Sequence, residues 1–554
     1  MASGFDPTRL VTGSMMFKPL LISAILDHAE LYHGDTEIVS ARTEGDIHRY
    51  TYADCALRAR KLAQALDRLL IMTGDRVGTF AWNGYRHMEL YYGVSGSGRI
   101  CHTINPRLFP DQLRYIVNHA EDQAVFFDIT FLPLMTALKP ECPGVRHWVC
   151  MTDRDHMPAD GFEGLLCYED LIDAEDGAFD WPQFDERTAS SLCYTSGTTG
   201  NPKGALYTNR SVVLHSYAAA LPDSLGISAM DSIMPVVPMF HVNAWGLPYA
   251  CPLTGAKMVM PGAKLDGASL YNLIEREGVT ASAGVPTIWA GLVQYVKAGN
   301  LSFSTFRRAV IGGSTCPPSL MEDFAKLGVE VIHAWGMTEL SPLGTVARLK
   351  AKDVGKAPAE QKRILEKQGR PVSGIKLKIV GGEGKSLPND GAAFGDLYAQ
   401  GHWVIDQYFG IPDSPLEQGW FKTGDISTID PDGNMQIVDR SKDVIKSGGE
   451  WISSIELENA ASSHADVAMC ACIGIAHPKW DERPLLVIVP REGSDKTPEA
   501  LKAELYEILS AKVAKWWLPD DIVFAEEIPM TATGKLHKLK LRERFGGYVW
   551  KAGA

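Results

Sequence analysis

Tyr194-Thr195-Ser196-Gly197-Thr198-Thr199-Gly200-Asn201-Pro202-Lys203-Gly204 is the stretch on which the interpretation of this chain depends. Its glycines allow the backbone to approach a ligand closely, and successive N–H groups in such a turn can donate to anionic oxygens. Its hydroxyl groups suit a hard metal ion, and its lysine adds a positive charge for phosphate. The alternative is a polar surface linker, but linkers rarely begin at an apolar strand and end in Pro-Lys-Gly.

The residues on either side give this loop its context. Leu192-Cys193-Tyr194 predicts a short buried strand, and residues 210–221 predict a helix. A strand, a glycine-rich loop and a helix in succession are typical of phosphate binding. The loop is not a Walker A motif, because no Gly-Lys-Ser/Thr follows at the required spacing.

Composition limits the class of protein. The chain has 554 residues, of which 45% are hydrophobic and 22% charged, as expected for a globular protein of several domains. The net charge of −13 does not favour nucleic acid or an anionic membrane as a partner. An anionic substrate must therefore be held by local cations. The ten scattered cysteines form no CxxC pair, which suits a reducing cytoplasm, and no apolar run predicts a signal peptide or a membrane span.

The order of predicted elements indicates an α/β fold. Short apolar runs alternate with helical segments over most of the chain, which predicts parallel βαβ units in doubly wound sheets. Residues 374–440 are rich in glycine and short strands, which predicts a β-rich subdomain. Beyond the charged segment 439–443 the remaining chain predicts a small α+β domain. We expect a large N-terminal domain over residues 1–439, a hinge at 440–443 and a small C-terminal domain over 444–554.

Other candidate residues lie where predicted strands end, because side chains there line a crevice in parallel sheets. His241 follows one such strand, with plain core packing as the alternative. Glu339 follows another and is suited to ligate Mg²⁺, with a solvated glutamate at a helix start as the alternative. Asp425 and Arg440 suit a ribose diol, although each alone is an ordinary surface residue. Lys535 ends a second glycine loop near the C-terminus.

Five motifs, taken together, resemble the adenylate-forming superfamily of acyl-CoA synthetases, luciferases and peptide-synthetase adenylation domains. They occupy residues 194–204, 333–339, 420–425, 439–443 and 533–535 and span nearly the whole chain. Segments 235–245 and 445–454 look most similar to medium- and long-chain fatty acyl-CoA synthetases, as do 105–109 and 477–484. Methylthioalkanoate-CoA ligases are also among the nearest members of this branch.

The resemblance implies an AMP-forming acyl-CoA synthetase. ATP and a medium-chain or long-chain fatty acid give acyl-adenylate and pyrophosphate, and the CoA thiol then displaces AMP, with Mg²⁺ as cofactor. Methylthiopropionate or an aryl acid such as cinnamate is the alternative substrate. A CoA-independent adenylating enzyme and a non-catalytic nucleotide-binding module are further alternatives. Long-chain relatives form dimers through their N-terminal domain, so we expect a homodimer.

The resemblance also assigns roles to residues, and it implies that the C-terminal domain is mobile about Lys442. The catalytic residues are Lys535, Thr195, Glu339 and His241, with Thr195 and Glu339 as Mg²⁺ ligands. The ATP and AMP contacts are Thr195, Ser196, Gly197, Thr198, Thr199, Lys203, Gly313, Ser314, His333, Ala334, Trp335, Gly336, Met337, Thr338, Asp425, Arg440 and Lys535. The acyl pocket and its gate are His241, Val242, Asn243, Trp245, Gly312, Gly336 and Leu340. The CoA-binding face is Lys446, Ser447, Gly448, Gly449, Glu450 and Trp451.

Overall fold

The computed structural model describes residues 8, 10–195, 201–448, 450–530 and 536–550. The strands are β1 (Glu37–Ala41), β2 (Ile47–Thr51), β3 (Arg76–Phe80), β4 (Ile100–Thr103), β5 (Asp122–Phe127), β6 (His147–Cys150), β7 (Leu165–Cys167), β8 (Ala189–Tyr194), β9 (Gly204–Thr208), β10 (Ser232–Pro235), β11 (Lys257–Met260), β12 (Ala281–Gly284), β13 (Arg308–Ile311), β14 (Glu330–Gly336), β15 (Leu343–Val346), β16 (Arg370–Pro371), β17 (Ile375–Val380), β18 (Phe394–Gly401), β19 (Leu416–Glu417), β20 (Trp420–Ile429), β21 (Met435–Arg440), β22 (Ile445–Ser447), β23 (Glu450–Ile452), β24 (Val467–His477), β25 (Asp481–Pro490) and β26 (Asp521–Phe524).

The helices pack on the faces of these sheets. They are α1 (Ile22–His33), α2 (Tyr52–Arg68), α3 (Tyr85–Gly96), α4 (Pro110–Ala120), α5 (Leu132–Leu138), α6 (Tyr168–Asp173), α7 (Asn209–Ala220), α8 (Leu247–Thr254), α9 (Gly267–Glu277), α10 (Pro286–Ala298), α11 (Pro318–Lys326), α12 (Pro358–Glu366), α13 (Ser454–Ser462), α14 (Pro498–Lys512) and α15 (Lys538–Arg544).

Two large, mainly parallel sheets form the N-terminal part of the molecule. One has the order β16-β15-β14-β13-β12-β10-β11-β1-β2, and the other has the order β7-β6-β5-β3-β4-β8-β9. Their inner strands β4, β10 and β12 are buried along their whole length. Helices cover both faces of such sheets, so the strands have no alternating polar side. The predicted doubly wound α/β class is confirmed.

The remaining sheets are smaller and mostly antiparallel. Strands β17 to β21 form the β-rich subdomain that the sequence predicts. Strands β22 to β26 form the C-terminal sheet, in which β26 pairs parallel with β25 and the other pairs are antiparallel. Buried apolar side chains of α13 and α14, among them Leu457 and Leu505, pack in one cluster with the strand residue Ile488. The predicted α+β C-terminal domain is confirmed.

One local prediction is wrong. The glycine-rich loop does not lead directly into a helix, because β9 follows it and pairs antiparallel with β8, with Tyr194 opposite Gly204. Ala205 and Tyr207 of β9 point into the core, which stabilises the hairpin before α7 begins at Asn209. Residues 195–203 therefore connect two antiparallel strands, and α7 begins only after β9.

The fold brings several chain segments together at one edge. The carboxyl ends of β10, β12, β13 and β14 meet there, as parallel strands require. Strands β20 and β21 of the five-stranded sheet approach the same edge, and α15 of the C-terminal domain covers it. Among the described residues no helix is both long and apolar enough to cross a bilayer.

Candidate active site

A cavity of about 1200 Å³ lies at this edge, between the N-terminal sheets and the C-terminal domain. Most of the predicted ATP and acyl residues that the structure describes line it, as do the predicted metal ligand Glu339 and the predicted hinge residue Lys442. The ATP and acyl residues are Thr195, Lys203, His241, Val242, Trp245, Gly312, Gly313, Ser314, Ala334, Trp335, Gly336, Met337, Thr338, Asp425 and Arg440. Segments far apart in the sequence therefore converge on one site.

The two ends of the glycine-rich loop are tied together. The Thr195 N–H donates to the carbonyl of Lys203 at 2.9 Å, and the Lys203 N–H donates to the hydroxyl of Thr195 at 3.4 Å. The Lys203 ammonium lies 5.1 Å from the centre of the Tyr408 ring, a distance at which the cation and the aromatic face attract each other. The predicted phosphate contacts Ser196, Gly197, Thr198 and Thr199 lie outside the described residues.

Glu339 is a buried carboxylate at the cavity edge, with only 8% of its surface exposed. Burial raises its pKa because the charged form loses hydration, while a hydrogen bond from Tyr408 and the charges of Arg440 and Lys203 act in the opposite direction. The Tyr408 hydroxyl donates to Oε1 of Glu339 at 2.8 Å. Glu339 is thus a fixed acceptor next to the loop that carries Lys203.

Tyr408 is a functional candidate that the sequence analysis missed. Its hydroxyl contacts Glu339 and its ring contacts Lys203, so one side chain touches both predicted phosphate-site groups. It is held there because Tyr408 bridges to Ala205 of β9 and the N–H of Phe409 donates to the carbonyl of Gly204. The only sequence signal was an aromatic pair before Gly410, which does not identify a partner 200 residues away.

The predicted ribose pair lies on neighbouring strands. Asp425 on β20 stands opposite Arg440 on β21, and their side chains approach to 3.4 Å. The second oxygen of Asp425 accepts a hydrogen bond from Nε1 of Trp335 at 2.9 Å. Trp335 therefore orients the carboxylate in addition to lining the cavity. An aspartate fixed in this way can accept from a diol without rearranging.

His333 is the one described member of the predicted adenine segment that does not line the cavity. Its ring is 1% exposed, with Nδ1 2.9 Å from the carbonyl oxygen of Glu366 and Nε2 accepting from the N–H of Cys316. Burial lowers its pKa to about 4, so the ring is neutral near pH 7. The structure therefore gives the His333 side chain a structural position, while its neighbours from Ala334 to Thr338 face the cavity.

The predicted acyl pocket divides into residues that line the cavity and residues that support them. His241, Val242, Trp245, Gly312 and Gly336 line it. Asn243 and Leu340 lie behind the surface: Asn243 is hydrogen bonded to core residues, and Leu340 packs in the apolar cluster under the five-stranded sheet. Both residues are buried behind the cavity surface, so they do not form part of the pocket wall.

Glycine at position 312 leaves space for the indole of Trp245. A Cβ atom built on Gly312 would lie 3.2 Å from Cη2 of Trp245 and 2.8 Å from the carbonyl oxygen of Ala334. The same cavity also contains Arg107, whose guanidinium lies 5.7 Å from the Trp82 ring and 5.6 Å from the Phe240 ring. Burial lowers the pKa of Arg107. The cavity wall thus carries a cation besides its apolar residues.

The C-terminal domain contributes one face to the cavity and keeps another away from it. The predicted catalytic Lys535 lies outside the described residues, but the following residues 536–539 line the cavity. Lys446, Ser447 and Gly448, of the predicted CoA-binding face, do not line it. Ser447 accepts a hydrogen bond from Arg483 at 3.1 Å, and the N–H of Gly448 donates to the carbonyl of Trp480 at 2.8 Å.

The other predicted members of that face are only partly described. Gly449 lies outside the described residues, and Glu450 begins β23. The Trp451 ring packs 5.7 Å from the ring of Phe394 in the N-terminal part. In this arrangement the segment next to position 535 faces the cavity and the segment around Lys446 does not.

Comparison with protein families assigns both parts of the chain. Residues 26–409 match the AMP-binding enzyme family, and residues 456–535 match the AMP-binding enzyme C-terminal domain. The chain is 54% identical over 535 residues to 3-methylmercaptopropionyl-CoA ligase of Ruegeria lacuscaerulensis, covering 96% of this chain and 98% of the relative. It is 50% identical to medium-chain-fatty-acid–CoA ligase of Ectopseudomonas oleovorans, covering 98% and 99%.

Solved structures resemble the whole chain as well. The crystal structure of the anthranilate CoA ligase AuaEII in complex with anthranoyl-AMP aligns with a TM-score of 0.84 at 25% identity. The alignment covers 95% of this chain and 98% of that structure. The similarity therefore extends over both the N-terminal and the C-terminal domains.

Proposed function

Since this chain belongs to the AMP-binding enzyme family and is an acid–thiol ligase, we propose that it converts a medium-chain fatty acid to its acyl-CoA through an acyl-adenylate. Enzymes of this kind use ATP and CoA as substrates. The observation that carries the proposal is the convergence of Lys203, Glu339, Asp425 and Arg440 on one cavity that also has an apolar wall. Such a site can hold a nucleotide and an aliphatic acid side by side.

The first half-reaction joins two anions, the carboxylate and the α-phosphate. Concentrated positive charge in a site shielded from water lowers this barrier, and positioning contributes most of the rest. Lys203 neutralises charge on the outer phosphates, the loop hydroxyls donate hydrogen bonds to them, and Asp425 fixes the ribose. Lys535 bridges the attacking carboxylate and the α-phosphate, by analogy with the matching lysine of the family.

Mg²⁺ fits the donor set of this site. Magnesium in phosphate sites is commonly bound by one or two carboxylates together with substrate phosphates. The buried Glu339 carboxylate at the cavity edge, with the hydroxyl of Thr195 at the start of the loop, would hold it in this way. When bound, the ion neutralises charge on the phosphates of ATP.

The second half-reaction requires a different face of the C-terminal domain. In the structure described here the residues next to position 535 face the cavity, which suits adenylation. Rotation about Lys442 then exchanges them for the Lys446–Glu450 segment, where CoA binds. A hinge needs only a few residues that absorb the backbone change, and Lys442 lies within the short link between the two domains.

The identity of the acid rests on the apolar part of the cavity. Val242, Trp245 and Gly312 provide an apolar wall, which favours an aliphatic chain. A second candidate is 3-methylmercaptopropionate, which the 54% identity to ligases of that name favours. Its thioether chain is also apolar, so the same wall accommodates both acids.

Pyrophosphate release in the presence of ATP and CoA tests these proposals. The acids should range from acetate to palmitate and include 3-methylmercaptopropionate and cinnamate. We expect the highest kcat/KM for octanoate or its near homologues, with AMP release dependent on CoA. A maximum at 3-methylmercaptopropionate would instead support the second candidate. ATP binding without pyrophosphate release for any acid would refute both.

A further inference from the structure

Five consecutive residues, Val242 to Gly246, have left-handed backbone conformations. Their φ angles are 50°, 50°, 47°, 56° and 79°. L-residues avoid this region because Cβ approaches the neighbouring carbonyl, and a β-branched valine avoids it most strongly. Runs of this kind persist only where the surroundings determine them, and they concentrate at functional sites.

The side chain of Asn243 anchors this left-handed turn. It is 3% exposed, and its Nδ2 donates to the hydroxyl of Ser191 at 2.9 Å. Its Oδ1 accepts from Thr103 at 3.3 Å and from Tyr91 and Cys193 at 3.4 Å. Asparagine also tolerates the left-handed region better than other non-glycine residues. The amide thus fixes both the position and the conformation of the turn.

The turn determines where Trp245 lies. Its indole lines the cavity and packs against the Gly312–Gly313 edge, so it stands between the end of β13 and the remaining cavity. On the other side, a Cβ atom on Gly246 would lie 2.7 Å from the ring of His215, so glycine is required for the chain to pass. The turn therefore has little room to shift while Asn243 stays bonded.

The anchor also connects this turn to the phosphate loop. Ser191 and Cys193 lie on β8, the strand that ends at Tyr194 and leads to Thr195. The position of Trp245 therefore depends on β8, the same strand that leads to the loop.

We propose that Asn243 is a positioning residue that holds Trp245 against the Gly312–Gly313 edge and so sets which acid chains the cavity accepts. The selectivity part of this inference rests on the proposed acyl-CoA synthetase function. Asn243 itself does not line the cavity and acts through Trp245. Once the amide is removed, the turn loses the contacts that stabilise its left-handed conformation, and the indole is free to leave the edge.

Asn243→Gly removes all the hydrogen bonds of the Asn243 side chain, and Ser191→Ala removes one of them. Glycine keeps the left-handed conformation accessible but removes the amide, and Ser191→Ala removes only the acceptor of Nδ2. The matched control is Asn209→Ala, which deletes another buried amide that accepts from the N–H of Ile22 and donates to Thr188, outside the cavity. The thermal midpoint of each full-length variant is measured first, and only variants with equal midpoints are compared.

Two measurements are made on each variant. The first is the ratio of kcat/KM for octanoate to that for butyrate, which should change by about tenfold in Asn243→Gly and less in Ser191→Ala, as expected for a displaced wall of an apolar pocket. The second is acrylamide quenching of the Trp245 fluorescence, obtained by subtracting the signal of Trp245→Phe in each background. It should rise in both variants and stay unchanged in Asn209→Ala.

An unchanged ratio and unchanged quenching in folded Asn243→Gly would overturn the inference, as would equal effects of Asn209→Ala. The two readouts also separate this inference from the proposed function. A wild-type enzyme inactive on every fatty acid would refute the function, while the quenching measurement would still decide whether Asn243 positions Trp245.

Discussion

Removing the hydroxyl of Tyr408 should weaken adenylation specifically. Tyr408→Phe keeps the ring beside Lys203 but deletes the 2.8 Å hydrogen bond to the buried carboxylate of Glu339. A hydrogen bond to a charged group contributes about 1.5–3 kcal/mol, which corresponds to roughly ten- to a hundredfold in kcat/KM for MgATP. The hydrogen bond that is lost belongs to Glu339, the carboxylate that we propose as a Mg²⁺ ligand.

The direction of the pH effect follows from the same contact. Burial raises the pKa of Glu339, and the bond from Tyr408 lowers it. Loss of the hydroxyl therefore raises the pKa further, so a larger fraction of Glu339 is protonated at a given pH. The acid limb of kcat/KM should move to higher pH in Tyr408→Phe, and more Mg²⁺ should be needed for half-maximal rate.

ATP–pyrophosphate exchange at varied Mg²⁺ and pH measures both effects. Tyr398→Phe is a control, because the Tyr398 hydroxyl donates to the carboxylate of Glu417 at 2.5 Å in the five-stranded sheet, outside the cavity. Thioester formation from supplied acyl-adenylate should be nearly unchanged in Tyr408→Phe. Equal losses in Tyr408→Phe and Tyr398→Phe, or a loss confined to the thioester step, would refute the role that we give to Tyr408.

Four further variants test other parts of the site and fold. Lys535→Ala should abolish pyrophosphate exchange yet still convert supplied acyl-adenylate to thioester, and equal loss of both half-reactions would contradict its role. Trp245→Ala should alter chain-length preference in steady-state assays, and an unchanged preference would argue against a gate. Asp425→Asn should raise KM for ATP by about tenfold or more by weakening the ribose contact, with KM for the acid as the control. The pKa of buried His215 is lowered to about 4 from 6.5, so the unfolded chain binds the proton more tightly and stability falls as pH drops through this range. In His215→Asn that part of the pH dependence of the thermal midpoint should disappear.

Local sequence patterns predicted most of the fold. Short, largely apolar runs such as β11 and β13 identify buried parallel strands because both faces of those strands are covered by helices. The small α+β domain beyond residue 443 was also predicted, and α13 to β26 form it. Strand β9 was missed because Gly204–Thr208 is short and begins with glycine, and only its pairing with β8 makes it a strand. Pairing of this kind is a tertiary effect that overrides local propensity.

Site residues were predictable where the residue type alone indicates the chemistry. They were less predictable where contacts with distant segments decide whether a side chain faces the cavity or the core. Lys203, Glu339 and Asp425 are charged residues within recognisable motifs, and all three line the cavity. His333 carries an equally suggestive side chain, but bonds to Glu366 and Cys316 hold it in the core. Nothing in its immediate sequence distinguishes these outcomes, because both partners come from other segments.

Asn243 shows that backbone conformation decides whether a side chain lines the cavity or is buried in the core. The resemblance assigned His241, Val242, Asn243 and Trp245 alike to the acyl pocket and its gate. The left-handed path buries the Asn243 amide against β8, while His241, Val242 and Trp245 line the cavity. The chain therefore adopts a costly backbone conformation that fixes Trp245 relative to β8, the strand that leads to the phosphate loop. Since a shifted wall would misplace the acid relative to the α-phosphate, selectivity and adenylation rate should be coupled through this turn, and variants of Asn243 should change both in the same order.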